Sequence, residues 1–183
     1  MPLAPAEDLR GARRILVYGV TGSGKTTVAD LLGAVLGLPS HHVDDAIGWL
    51  PGWVERPADD QRRLAVEMAA DEAWVIDSAY GKWRDVVTAR AQYVVALDYP
   101  RLVSLTRLVR RGLRRVIGRE RMCNGNYESW GRLLGQDSIV RWHFQSFARK
   151  RAAIAAMKSA PDGPPVVRLR RQADLDRLLA TLS

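Results

Sequence analysis

Gly19, Gly24, Lys25 and Thr26 fall on the spacing G-x-x-x-x-G-K-[ST] inside the stretch ILVYGVTGSGKTTVADLL, Ile15 to Leu32. Glycines at these places let the backbone curl until successive N–H groups point inward, and a helix starting at the loop adds partial positive charge. The nest suits the α- and β-phosphates of a nucleotide. Lys25 would reach the β- and γ-phosphates as a point charge, and Thr26 would offer its hydroxyl to Mg²⁺. The spacing does not name a reaction, because kinases, GTPases and motor ATPases share it.

Other residue types narrow the chemistry. Asp77, in WVIDSAY, closes an apolar strand, where ligands gather in parallel sheets. It is either a water-mediated partner of Mg²⁺ or a helix N-cap. Asp44 and Asp45, in HHVDDAIGWLPGW, would emerge beside the loop, where a carboxylate can take a proton from an attacking hydroxyl, hold the metal, or simply belong to a polar turn. Adjacent residues at a strand end face opposite ways, so one of the two is expected to do chemistry. His41 and His42 read as ordinary strand-edge residues, and Trp49, Pro51, Gly52 and Trp53 as either an acceptor wall or plain packing. Arg107 and Arg111, four apart, share a helix face and suit a lid that neutralises charge on a transferring phosphoryl group. Arg110, Arg114 and Arg115 stand nearby, and spacing does not say which arginine acts.

These groups need a scaffold. Short apolar runs alternating with longer periodic segments predict an α/β chain with a parallel sheet. Five strands are expected, at Ile15–Tyr18, weakly at His41–Val43, and at Trp74–Ile76, Tyr93–Leu97 and Val166–Leu169. Helices are expected from Thr26 to about Leu36, Asp59 to Ala70, Leu102 to Ile117, Asp137 to about Met157, and Ala173 to Leu182. In the third, Leu105, Leu108, Val109 and Leu113 make the apolar side; in the fourth, Asp137 is the expected N-cap. CNGNYESWG reads as a turn-rich linker and SAPDGPP as an exposed loop.

With 183 residues, 47% hydrophobic and 26% charged, the chain is expected to form one domain over 1–183 and not a disordered polymer. The net charge of +8 is uneven: thirteen Lys/Arg against three Asp/Glu lie between Arg101 and Arg151, a net of +10. That segment attracts something anionic, either the phosphates of a small ligand or a nucleic-acid backbone, unless it is only a solvated helix. The single cysteine, Cys123, permits no internal disulfide, and no Cys/His set has zinc-site spacing. No segment approaches the roughly 20 apolar residues of a membrane span. The N-terminal MPLAPAEDLRGARR lacks a signal-type apolar region, so a cytoplasmic protein is expected.

Taken together, GVTGSGKTT, VDDAIGWLPGW, WVIDSAY, VVALDYPR, RLVRRGLRR, CNGNYESW and DSIV resemble the P-loop kinases of the adenylate kinase group. They resemble more closely a bacterial set of adenylate-kinase-related proteins labelled DNA topology modulation proteins. The likeness spans roughly residues 14–151. It implies a three-layer P-loop kinase fold: a five-stranded parallel sheet, helices on both faces, and an Arg-rich lid over about 101–151. It also implies ATP at Gly19, Thr21, Gly22, Ser23, Gly24, Lys25, Thr26 and Thr27, and equates Arg107 and Arg111 with the R-x-x-x-R of the helix leading into that group's lid. DSAYGKW departs from the group's Asp-Gly-Phe-Pro-Arg turn, and the acceptor-binding Thr and Arg pattern after the first helix is missing. AMP as acceptor is therefore not carried over, and nothing in these residues shows action on DNA.

The expectation is an ATP- and Mg²⁺-dependent kinase of a small molecule, with a nucleoside or nucleotide among the acceptors considered. The alternatives are a nucleotide-regulated nucleic-acid binder and a low-turnover ATP switch. The acceptor, the nucleotide base preference and the oligomeric state are not written in the sequence.

Overall fold

The computed structural model describes residues 6–135 and 138–183. A 3₁₀ segment, Ala6–Gly11, leads into β1 (Arg14–Gly19), α1 (Lys25–Leu36), β2 (Ser40–His41) and one π-helical turn, Asp44–Gly48. Then come β3 (Trp49–Leu50), β4 (Val54–Glu55), α2 (Ala58–Ala70), β5 (Trp74–Ile76), α3 (Arg84–Arg90) and β6 (Tyr93–Leu97). The chain continues through α4 (Arg101–Gly118), β7 (Arg121–Met122), β8 (Asn126–Tyr127), α5 (Trp130–Leu134), α6 (Ile139–Ser159), β9 (Val166–Leu169) and α7 (Gln172–Leu182).

All five expected strands form one parallel sheet in the order β2-β5-β1-β6-β9. Side chains alternate across it, as strand geometry requires. Ile15, Val17, Val75 and Val95 face one core with Leu32 of α1 and Leu178 of α7, while Leu16, Tyr18, Ile76 and Val94 face the other with Trp83 and Ile154. Covering helices on both faces explain why the strands read as unbroken apolar runs. Central β1 has β5 and β2 on one side and β6 and β9 on the other, so the loop leaving its carboxyl end opens at the crevice where strand order reverses.

Several expectations are corrected. The weak second strand covers only Ser40–His41, because Val43 already begins the helical turn that carries Asp44 and Asp45. Trp49 to Trp53 is a hairpin, β3 against β4, turning at Gly52 and Trp53 with φ of 80° and 60°. CNGNYESWG supplies the tip and second strand of another hairpin, β7 against β8, whose tip at Cys123, Asn124 and Gly125 has positive φ throughout. α3 and α5 are additional. In α4 the fully buried stripe is Ser104, Leu108 and Gly112, and Leu113 lies outward at 36% exposure. The stripe needs small residues because α4 rides close on its neighbours: a Cβ on Gly112 would stand 2.6 Å from Leu133 Cδ1. Asp137 lies outside the described residues, and Ser138 caps α6, its hydroxyl accepting from the Arg141 N–H at 3.1 Å. No helix among the described residues is long and apolar enough to cross a membrane.

Candidate active site

The loop between β1 and α1 is built as its glycines suggest. Gly22 and Gly24 have φ of 82° and 92°, conformations an L side chain rarely adopts. At Gly19 a Cβ would meet Leu97 O and Ser23 Oγ, each at 2.8 Å, so the start of the loop lies flush against β6. Ser23 is fully buried, and both its N–H (3.2 Å) and its hydroxyl (2.8 Å) donate to Val20 O, which closes the curl. Lys25 Nζ also donates to Val20 O, at 3.2 Å, folding across the loop. Among the described residues no backbone acceptor takes the N–H of Thr21, Gly22 or Gly24. Thr27 is exposed on the first turn of α1.

Asp77 follows β5 directly and is brought to this loop. Its Oδ2 accepts from Thr26 Oγ1 at 2.6 Å, and its Oδ1 from the Val43 N–H at 2.9 Å. Burial raises its pKa, against the pull of the Thr26 and Val43 hydrogen bonds; Asp44 adds to the rise and Lys25 opposes it. Burial lowers the pKa of Lys25, which Asp44 and then Asp77 resist and Arg111 reinforces. The Thr26 hydroxyl and Asp77 carboxylate, side by side at the loop, form a hard oxygen donor set. That fits Mg²⁺, which takes one or two protein oxygens and completes its shell with water and phosphate. Among the described residues there is no group of three or more His, Cys, Asp or Glu side chains placed to hold a metal ion.

The adjacent carboxylates separate. Asp44 accepts from the Tyr80 hydroxyl at Oδ1 and supplies the strongest charge acting on Lys25. Asp45 turns away, Oδ1 accepting from the Asn124 N–H at 3.1 Å, while its own carbonyl accepts from Asn124 Nδ2 at 2.6 Å. Tyr80 is held neutral, its pKa raised by burial and by Asp44. Cys123 is buried at the β7–β8 turn and pushed up to about 12 by burial, Asp44 and Asp45, so it stays a thiol.

The β7–β8 hairpin is fastened to the Trp49–Glu55 hairpin. Asn124 Nδ2 donates to Trp49 O at 2.6 Å and Asn126 Nδ2 to Leu50 O at 3.0 Å. In return the Trp53 N–H donates to Asn126 Oδ1 and its indole N–H to Tyr127 O, both at 2.9 Å. Trp49 and Trp53 meet edge to face, and the Arg132 guanidinium covers Trp53 at 4.3 Å.

Of the two arginines singled out by spacing, Arg107 reaches Ser23 O with Nη1 at 3.3 Å, donates from Nη2 to Gln172 Oε1 at 3.0 Å, and lies 4.9 Å over the Tyr99 ring. Arg111 is partly buried, its pKa lowered by burial and by Arg115 while Asp44 resists. Both line a cleft of about 350 Å³ with Gly22, Gly24, Thr27 and Tyr99. A larger open groove of about 620 Å³, bordered by Val116, Arg119, Tyr127 and Trp130, shares no residue with the loop. His42 is occupied elsewhere, 2.8 Å from Asp30.

Lys150 and Tyr80 belong to the site without having been singled out by sequence. Lys150, partly buried on α6, is pushed down to about 7 by burial and by Lys25, which Asp44 counters; among the described residues it forms no ion pair. The one available signal is helical spacing, His143, Phe147, Lys150 and Ile154 recurring along one inward face.

No family model matches the chain, and no curated protein is found to match it. Solved structures do. A shikimate kinase from Acinetobacter baumannii in complex with shikimate is 18% identical at a TM-score of 0.61, over 97% of this chain and 95% of that one. A shikimate kinase from Bacteroides thetaiotaomicron is 18% identical at 0.57, over 94% and 97%. A gluconokinase from Sinorhizobium meliloti 1021 is 16% identical at 0.54, over 93% and 91%. At such identities the likeness is one of architecture, and it establishes that this chain has the α/β fold of the P-loop kinases, a five-stranded parallel sheet flanked by helices.

Proposed function

We propose that this chain transfers the γ-phosphoryl group of ATP to a hydroxyl of a small-molecule acceptor. The observation that carries the reading is the way Asp44 and Asp45 part: Asp44, its Oδ1 held by the Tyr80 hydroxyl, supplies the strongest opposite charge acting on Lys25 of the phosphate loop, while Asp45 Oδ1 accepts from the Asn124 N–H on the β7–β8 hairpin. The solved structures named above are kinases by their descriptions, two of shikimate and one of gluconate, which supports a hydroxylated small acceptor.

In this reading the loop from Gly19 to Thr27 cradles the triphosphate, with Lys25 on its terminal phosphates. Thr26 and Asp77 would hold Mg²⁺, which when bound offsets charge on the β- and γ-phosphates. The acceptor oxygen attacks the γ-phosphorus; as that O–P bond forms, the bridging P–O bond breaks and its electron pair goes to the β-phosphate of departing ADP. The acceptor proton passes to Asp44, whose other oxygen is steadied by Tyr80. Arg111 and Lys150 offset the charge on the moving group, and Arg107 secures the loop from the nucleotide side. The Trp49–Trp53 hairpin walls the acceptor chamber, and the lid over 101–151 excludes water, all within one P-loop kinase-like unit.

The finer likeness to the adenylate-kinase-related group labelled DNA topology modulation proteins is part of this proposal, on the strength of its motifs and without a role on DNA. A cytoplasmic setting is proposed from the lone Cys123. The nucleic-acid reading is less favoured, because Arg101 stacks on Phe147, Arg107 on Tyr99 and Arg132 on Trp53, so these guanidinium groups are held against the protein's own rings.

The test is ADP release from ATP·Mg²⁺ across a panel of hydroxy acids, sugars, polyols and nucleosides. At least one acceptor is expected to raise release above the buffer rate. ATP bound normally with no turnover across the panel would sink the kinase reading in favour of a switch.

A further inference from the structure

The helices α4 and α6 meet at the tip of the phosphate loop. α4 presses on Gly22, where a Cβ would stand 2.4 Å from Ser104 O and 2.8 Å from Leu108 Cβ. From the other helix, α6, the fully buried His143 places Nδ1 2.9 Å from Thr21 O. A carbonyl oxygen only accepts, so Nδ1 carries the proton and Nε2 is bare. Nε2 is buried with no partner among the described residues, a position that penalises a second proton. Burial lowers the pKa of His143 against the Thr21 hydrogen bond, and Arg101 and Lys150 add to the lowering.

The consequence lies in the peptide plane. In a trans peptide the carbonyl of Thr21 and the N–H of Gly22 point in opposite directions, and the chain has no cis bond among the described residues. With the carbonyl tied to α6, the Gly22 N–H is turned to the opposite side, where no backbone acceptor takes it. A peptide next to glycine rotates at little steric cost. Released from His143, it can turn the carbonyl oxygen inward, replacing a donor with a repelling lone pair.

We propose that His143 is a positioning residue for the phosphate loop: by holding Thr21 O it aims the Gly22 N–H at bound phosphate. This links the helix leaving the lid to nucleotide affinity, and it rests on the phosphate-loop reading given above. A histidine that merely fills core would matter for stability alone.

The test measures ATP affinity by calorimetry, and melting temperature alongside, for wild type, His143→Leu and His143→Asn. Loss of one aligned donor is expected to weaken ATP about tenfold in His143→Leu. His143→Asn, which keeps an N–H near the place of Nδ1, is expected to stay within about threefold of wild type. Unchanged affinity in folded His143→Leu overturns the proposal alone, whereas wild type that binds no ATP overturns the phosphate-loop reading with it. A readout on the unaltered protein covers a Leu variant that fails to fold: ¹⁵N spectra should show the Nδ1–H tautomer of His143 and a Gly22 amide that shifts when ATP is added. An Nε2–H tautomer, or a Gly22 amide indifferent to ATP, overturns the proposal.

Discussion

The Thr26 hydroxyl donates to the Asp77 carboxylate at 2.6 Å, joining the first turn of α1 to the end of β5 across 51 positions of sequence. Neither residue needs the other for its own element, so the contact reports on a site. Asp77→Asn keeps the shape and removes the charge. The concentration of Mg²⁺ for half-maximal turnover is expected to rise about 10–100-fold, read from ADP release against metal.

Lys25→Met tests the donor side. The substitution removes an ammonium whose burial lowers its pKa, so the nucleotide-free protein should melt no lower than wild type. Affinity for ATP should drop by about 100-fold, seen by calorimetry, because the phosphates lose their point charge. Equal affinity would remove the phosphate-loop reading.

Asp44 and Asp45 should part in their effects. Asp44→Asn is expected to reduce kcat by about 10²–10⁴ through loss of the proton acceptor, with a smaller change, within about tenfold, in ATP affinity because a negative charge acting on Lys25 is also lost. Asp45→Ala removes one bond, that from the Asn124 N–H, while Asn124 Nδ2 keeps its backbone acceptors on Asp45 and Trp49, so kcat should stay within about threefold of wild type. Equal losses of kcat in the two variants would contradict the assignment.

Lys150 predicts an unusual dependence of stability on pH. Burial and Lys25 push it down to about 7, against the pull of Asp44 and with Arg149 adding, whereas an unfolded lysine keeps its proton to about 10.4. Between these values the unfolded chain binds more protons, so stability rises with pH and is lost again as pH falls through about 7. Lys25, also lowered by burial, contributes with the same sign. The nucleotide-free protein should melt higher at about pH 9 than at about pH 6. Lys150→Met should flatten that slope and stabilise by roughly 1–2 kcal/mol at the lower pH, allowing for partial exposure.

Periodicity made the sheet legible: β5, β6 and β9 end where their apolar runs end, because strands covered on both faces leave an unambiguous pattern. The phosphate loop was legible because its backbone demands glycine at fixed places. What escaped depends on contacts between distant segments. The buried stripe of α4 passes through Ser104 and Gly112, not Leu113, because a close neighbour selects small residues over apolar ones. The two short hairpins hold each other more than they hold themselves, and Lys150 enters the site only through the direction taken by α6. What tells Asp45 from Asp44 is a contact with Asn124, 79 positions away from Asp45.

Four hydrogen bonds from Asn124, Asn126 and Trp53 join the β7–β8 hairpin to the tryptophan hairpin, two more join Asn124 to Asp45, and all must let go nearly together for the hairpins to part. If these hairpins wall an acceptor chamber as proposed, each opening would dismantle that wall and each closure rebuild it. A poorly shaped guest would then leave the clasp ajar and the nucleotide uncut, and solvent viscosity, more than chemistry, should set the tempo for a guest that fits.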